Sequence, residues 1–194
     1  MDSIEKRCCF TGYRPQKFGF PLIETDENYR TMYCRLVAAI NERILDGGCT
    51  VFYTGMAAGF DIIAGEYVEL ITRRNKNIRL IAAVPYKGQE NGWNDEWKQR
   101  YRELLSRCCE VIYVSENFDR NVFAKRNRFM VDRSQSIITY YDGKPGGTGN
   151  TLRYAKGKGL YTVNIYETDT YNSKTDDYKP YLRIERPFGN TGER

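Results

Sequence analysis

Histidine is missing from this sequence altogether. That excludes any mechanism in which the chain supplies an imidazole base, so chemistry would have to come from carboxylates, Tyr, Lys, Arg, Cys or the substrate. No C-x-x-C occurs either. The six cysteines, Cys8, Cys9, Cys34, Cys49, Cys108 and Cys109, mostly lie in apolar strand or helix patterns. Their spacing does not suit zinc, and no metal is expected. No apolar run approaches a membrane span, so no membrane partner is expected. Residues Met1 to Lys6 lack the apolar core of a signal peptide. The expectation is therefore a cytoplasmic protein with reduced, mostly buried thiols. Two nucleotide-binding signatures are missing as well. No G-x-G-x-x-G follows the first apolar run, and the second run ends in Thr54 rather than an acid, which argues against an ordinary nicotinamide dehydrogenase. Gly146-Gly147-Thr148-Gly149 lacks the following Gly-Lys-Ser/Thr of a Walker A loop.

What remains is an ordinary globular composition: 194 residues, 41% hydrophobic and 28% charged, with a formal charge of +5. The length suits one α/β domain, and the mild basic excess suits an anionic ligand without demanding nucleic acid. Strand-like runs at Arg7–Thr11, Cys49–Tyr53, Ile78–Val84, Val111–Val114, Ser136–Tyr141 and Leu160–Ile165 alternate with helical patterns. The helices are read over Tyr29–Ile44, Phe60–Ile71, Trp97–Cys108, Asn121–Arg133 and a short stretch through Ala155. This alternation predicts an α/β fold, a mainly parallel sheet between helices on both faces, forming a three-layer α/β/α sandwich. No repeat or linker interrupts it. Residues 1–166 read as the domain, and 167–194 as a polar C-terminal tail with a candidate late strand at Tyr181–Glu185.

Ligands of such sheets bind beyond the carboxyl ends of the strands, so the turns there carry the search. The central one is Thr54-Gly55-Met56-Ala57-Ala58-Gly59-Phe60-Asp61, a strand, a glycine-punctuated turn and a helix start. Its glycines permit positive φ or close backbone approach, and the free N–H groups of a helix start favour anions. Asp61 has two readings there, a helix cap or an acceptor for ribose hydroxyls. Gly146-Gly147-Thr148-Gly149 forms a second glycine-rich corner at the same sheet edge. Arg14 stands at the end of the first strand. Arg126 shares a helix face with Val122 and Met130, so it is expected to point inward, where an arginine needs an anionic partner. Tyr86 and Trp93 could stack on a base, whereas Trp97 reads as core.

These stretches carry a resemblance. Thr54–Asp61 looks like the S/T-G-x-A-x-G-x-D motif of the DprA and LOG superfamily, also called SLOG, and Phe123-Ala124-Lys125-Arg126-Asn127-Arg128 is similar to the F-x-x-R-N-R of DprA. With Thr11–Pro15, Val84–Gln89, Arg126–Asp132 and Gly146–Thr148 they resemble the YpsA-like family within it, from about Cys8 to Ala155. The resemblance implies a Rossmann-like fold with a pocket for a nucleotide or nucleotide-derived ligand. Candidate ligand-binding residues are Gly12 and Arg14, then Gly55, Met56, Ala57, Gly59 and Asp61. Pro85, Tyr86 and Gln89 follow, with Arg126 and Asn127, and finally Gly146, Gly147, Thr148 and Thr151.

LOG enzymes cleave an N-glycosidic bond with a P-G-G-x-G-T-x-x-E motif. Here Arg153 stands where the catalytic glutamate would be, and Asn150 where the threonine would be. Asp61 and Glu66 are the substitutes the sequence offers. Three functions follow in order of preference. The first is a binding or sensing protein for a nucleotide-like small molecule, such as an ADP-ribose or NAD-like ligand. The second is an enzyme cleaving an N-glycosidic or phosphoester bond of a nucleotide. The third is a DprA-like binder of single-stranded nucleic acid. The cofactor and the catalytic residues stay unassigned, and a homo-oligomer stays open.

Overall fold

The alternation of strand and helix closes into one six-stranded sheet, described for residues 5–166 by a computed structural model. The strands are β1 (Lys6–Gly12), β2 (Cys49–Thr54), β3 (Arg79–Val84), β4 (Glu110–Tyr113), β5 (Ser136–Tyr140) and β6 (Tyr161–Asn164). The helices between them are α1 (Glu27–Leu45), α2 (Phe60–Arg74), α3 (Asp95–Arg107), α4 (Val122–Val131) and α5 (Gly147–Gly157). Every strand pair is parallel, and the order is β4-β3-β2-β1-β5-β6. From β1 the chain steps outward to β4, then returns through α4 to β5 on the other side of β1. The direction of winding therefore reverses between β1 and β5. A right-handed crossover on each side of that point places the helices on opposite faces.

Two cores follow from the pleat, since successive side chains point to opposite faces. Cys8, Phe10, Phe52, Leu80 and Ile138 pack against α1, α2 and α3 through Leu36, Ile63 and Leu104. Cys9, Val51, Tyr53, Ile81 and Ile137 pack against α4 and α5 through Met130, Val131 and Ala155. The chain is thus an α/β/α sandwich with a Rossmann-like order. β3 is buried from Leu80 to Val84, as its unbroken apolar run implies for a strand covered on both faces.

The helix starts divide into two kinds. Asp26 Oδ1 accepts from the Tyr29 N–H at 3.0 Å, and Asn94 Oδ1 accepts from the Trp97 N–H at 3.0 Å. Each such cap stabilises its helix by about 1 kcal/mol. The Asn94 cap also explains why α3 begins two residues before Trp97, which is buried as expected. By contrast, α2 and α5 start on Gly59 and Gly146, and α4 on Asn121, with no side-chain cap. A short 3-10 helix, Pro15–Lys17, was not legible in the sequence. Of the cysteines, Cys8, Cys9 and Cys49 are buried, Cys108 is partly so, and Cys34 and Cys109 are exposed. The expectation of mostly buried thiols therefore holds for the strand cysteines and fails on α1 and at the edge strand β4. The late strand expected at Tyr181–Glu185 lies outside the described residues. No helix among the described residues is long and apolar enough to cross a membrane.

Gly59 locks the end of β1 to the start of α2. Its φ is +95°, and a Cβ there would lie 2.5 Å from the Tyr13 carbonyl, which accepts from the Phe60 N–H at 3.0 Å. Gly59→Ala is expected to cost about 2 kcal/mol or more, from strain and clash together. In a domain of this size that lowers Tm by roughly 4 to 8 °C. Gly92→Ala, where no atom lies within 4 Å, should leave Tm near that of the parent in the same melt.

Candidate functional site

The crevice at the β1–β5 reversal is built from four segments: the end of β1, the β2–α2 turn, the inner face of α4 and the start of α5. The β2–α2 turn is held from within. Thr54 Oγ1 donates to the Asp61 carbonyl at 2.8 Å and accepts from the Met56 N–H at 3.2 Å. Met56, with φ of +56°, is the one non-glycine residue with positive φ among the described residues. Gln89 Nε2 donates to its carbonyl at 3.0 Å, and its side chain is fully buried. The surroundings thus impose a conformation that costs on the order of 1 kcal/mol or more.

Asp61 does not take the cap role read from sequence. Its Oδ2 instead accepts from Arg126 Nη1 at 3.3 Å, with both side chains over nine-tenths buried. The same nitrogen donates to the Gly55 carbonyl. Burial pushes the Asp61 carboxyl up, against the pull of Arg126, Arg14 and the Ala57 amide. Burial likewise presses the Arg126 pKa down, against the pull of Asp61. Arg126 Nε is buried and has no hydrogen-bond partner. Gly55 is glycine because any Cβ would fall onto the Arg126 guanidinium, so its close approach is to a side chain of the protein.

The first-turn amides of α2 are largely spent. Phe60 N–H donates to Tyr13, Ile62 N–H to Ala57 and Ile63 N–H to Gly59. The start of α5 is different. The Asn150 N–H donates to the Gly146 carbonyl at 3.0 Å. The N–H groups of Gly147, Thr148 and Gly149 therefore precede the first helical bond and have no capping side chain. Thr148 Oγ1 donates to the Gly12 carbonyl at 3.1 Å, pinning α5 to β1 across the reversal. Asn127 Nδ2 donates to Thr151 Oγ1 at 2.7 Å, which donates in turn to the Gly147 carbonyl at 2.9 Å. Tyr13 bonds Asp142 and steadies the loop before α5. Burial and that carboxylate push the Tyr13 hydroxyl up to about 12, while Lys144 and Tyr13 hold Asp142 down at about 2.

Between these parts lies a cleft of about 480 Å³. The structure brings Gly12, Arg14, Ala57, Asp61, Arg126, Asn127, Gly147 and Thr148 to its wall. Arg14 has no carboxylate within 4.0 Å among the described residues, and its guanidinium carbon lies 5.5 Å from the centre of the Phe123 ring. Lys17 also lines the cleft, and its Nζ would lie 3.2 Å from a Cβ at Gly146. That puts an ammonium beside the positive end of α5, an arrangement an anion relieves.

The other candidates stand back from the cleft wall. Gly55, Met56 and Gly59 shape the turn beneath it. Pro85 is buried, Gln89 holds Met56, and the Tyr86 ring packs on Phe118 and Phe123 with centroids 5.4 and 6.1 Å apart. Gly146 sits beside Lys17, and Thr151 faces a neighbouring groove of about 770 Å³ between α4 and α5. Sequence reasoning did not select Tyr13, Gln16, Lys17 or Phe123, all of which line the cleft. Tyr13 and Phe123 lie inside motifs already quoted. Gln16 and Lys17 carried no signal beyond following Pro15. Arg153 lines the groove, is exposed, and donates to Asn150 Oδ1 at 3.1 Å. Of the two substitute acids, Glu66 is held by Arg100 at 2.8 and 2.6 Å on the α1–α3 side, and Asp61 is held by Arg126. Among the described residues no three Cys, Asp or Glu side chains gather as a metal site.

Removing one partner of a buried pair strands the other charge. Asp61→Ala is expected to destabilise the fold by about 3 to 5 kcal/mol. Arg126→Leu in the same chain should restore part of that loss. The double-mutant cycle, measured by urea denaturation, should give a coupling of about 1 kcal/mol or more. Additive losses would show that the two side chains do not depend on each other.

The comparisons with known proteins agree with this architecture. Residues 8–173 match the family profile described as the YspA SLOG family, under the name YpsA. The uncharacterised SPbeta prophage-derived protein YoqJ of Bacillus subtilis (strain 168) is 34% identical over 134 residues, covering 63% of this chain and 78% of that protein. A UPF0398 protein of Bacillus thuringiensis (strain Al Hakam) is 27% identical over 156 residues, covering 77% and 82%. Among solved structures, DNA processing protein A (DprA) from Streptococcus pneumoniae superposes with a TM-score of 0.52 at 15% identity. That match covers 81% of this chain but only 49% of DprA, so the chain spans about half of that protein, and the likeness is one of fold. A sheet that reverses between β1 and β5, the Thr54–Asp61 turn and a profile match over most of the chain lead to one conclusion: the chain belongs to the YpsA family of the SLOG superfamily.

Proposed function

We propose that this protein is a cytoplasmic binding or sensing protein for a nucleotide-derived small molecule, with a phosphate of the ligand seated at the start of α5. One observation carries the reading. Arg14 and Lys17, both without a carboxylate partner among the described residues, stand in the same cleft as Gly147 and Thr148 at the uncapped start of α5. A helix start with converging cations is a phosphate site by charge and by hydrogen-bond geometry. The cleft lies at the sheet reversal, where folds of this order bind their ligands. An ADP-ribose or NAD-like molecule fits the reading, since it offers phosphates for α5 and further polar groups for the rest of the cleft.

Glycosidic cleavage ranks lower, because Arg153 occupies the place where a catalytic carboxylate would be expected and Asp61 is engaged by Arg126. The likeness to DprA is one of fold over half of that protein, and the DNA processing in its name is a statement about DprA.

Thermal shift against mononucleotides, NAD and ADP-ribose tests the reading. A true ligand at a hundred times its Kd should stabilise the fold by about 2.7 kcal/mol. Arg14→Ala should weaken that ligand by about 1.5 to 3 kcal/mol, the range for a hydrogen bond to a charged group. Arg14 is partly exposed, so the substitution should leave the melting temperature of the free protein little changed. If no nucleotide class moves Tm at saturating concentration, the cleft is not a nucleotide site.

A further inference from the structure

The groove between α4 and α5 has no place in the reading above, which needs only the cleft. It is the larger of the two, about 770 Å³ against about 480 Å³. The two concavities are continuous in their walls, since Phe123, Asn127 and Gly147 border both. Along α5 the groove is bounded from Gly147 to Lys158, eleven residue steps that span roughly 17 Å at the rise of an α-helix.

Its charge is one-sided. Arg120, Arg128 and Arg153 line it, and no Asp or Glu does. None of the three has a carboxylate within 4.0 Å among the described residues. The fourth cation, Lys158, is paired with Asp132 at 3.1 Å, so the unmatched charge belongs to the arginines. Arg128 is held in place, with its guanidinium carbon 5.5 Å from the centre of the Tyr154 ring. Three unpaired guanidinium groups around one depression repel one another, and an anion between them removes that repulsion. Arg153, which stands where a glycosidase of this superfamily would carry its acid, is one of the three.

We propose that the α4–α5 groove is a second phosphate subsite, and that the ligand is a linear dinucleotide. One phosphate lies at the start of α5 and the other among Arg120, Arg128 and Arg153. This rests on the cleft reading for the first phosphate and adds the second. The shared wall at Phe123, Asn127 and Gly147 is the passage through which one molecule reaches both. A mononucleotide fills only the cleft. A long strand of nucleic acid would carry the same chemistry further, and the length dependence separates the two sources.

The test is calorimetric titration of the full chain with the four 5′-mononucleotides, the matching 5′-phosphorylated linear dinucleotides and ten-residue oligonucleotides. Wild type is compared with Arg128→Ala/Arg153→Ala, two positions on helix surfaces, with Tm recorded for both proteins. The dinucleotide should bind wild type at least tenfold tighter than the mononucleotide. The double variant should lose about tenfold or more in dinucleotide affinity, the factor for one charge-assisted contact. Mononucleotide affinity should change less than twofold. Equal affinities for mono- and dinucleotide in wild type would overturn the subsite while leaving the cleft reading standing. An equal loss of both ligands in the variant would overturn it too. Affinity that keeps rising to the ten-residue oligonucleotide would overturn the dinucleotide in favour of a strand. Binding of none of them would overturn the subsite, while the cleft reading would still answer to NAD and ADP-ribose.

Discussion

The Arg126–Asp61 contact is the constraint around which the carboxyl edge of the sheet is arranged. Arg126 comes from α4 on one face, and Asp61 and Gly55 belong to the turn into α2 on the other. A single guanidinium therefore ties the two helical layers together at the place where the winding reverses. Such a buried pair adds little net stability over an apolar alternative, but breaking it is costly. Its effect is to fix geometry. It forbids a side chain at position 55 and fills the β2–α2 corner with a charge pair already balanced in the interior. The left-handed Met56 is held in the same turn by Thr54 and Gln89.

With that corner closed, the proposed anion site falls at α5. There the helix begins on Gly146 without a side-chain cap, and Lys17 and Arg14 stand nearby without carboxylates. The contrast with α1 and α3 is physical. Their starts are capped by Asp26 and Asn94, which accept from the Tyr29 and Trp97 amides of the first turn. The site is thus defined as much by which helix ends are satisfied as by which residues are basic. Asn127, Thr151 and Thr148 then hold α5 in register with α4 and β1.

The sheet and its helices were legible because their signals are local. The apolar run of β3 implied coverage on both faces, and Val122, Arg126 and Met130 at helical spacing placed Arg126 inward, where all three are buried. The YpsA-like motifs pointed to the family that the profile match supports. The pairing inside the site was not legible. Asp61 and Arg126 lie 65 residues apart, and nothing near Asp61 distinguishes a helix cap from an interior ion partner. Gly55 looked like an opening for a ligand, because a sequence cannot say which group approaches a missing Cβ. Lys17 went unseen because its role depends on Gly146, brought beside it only when β5 pairs with β1. The basic groove was hidden for the same reason. Arg120 and Arg128 flank and sit on α4, and Arg153 joins them in one patch only when α4 packs on α5.

The central claim is that a ligand phosphate sits on the open amides of α5 rather than on the β2–α2 turn. Backbone amide NMR reads this directly, because the N–H groups that meet the phosphate report their own hydrogen bonds. On titration with a nucleotide that raises Tm, the amides of Gly147, Thr148 and Gly149 should show the largest shifts, with Phe60, Ile62 and Ile63, whose N–H groups are already bonded, moving less. Unmoved α5 amides, with the largest shifts at the start of α2 or on the α1–α3 face, would contradict the account.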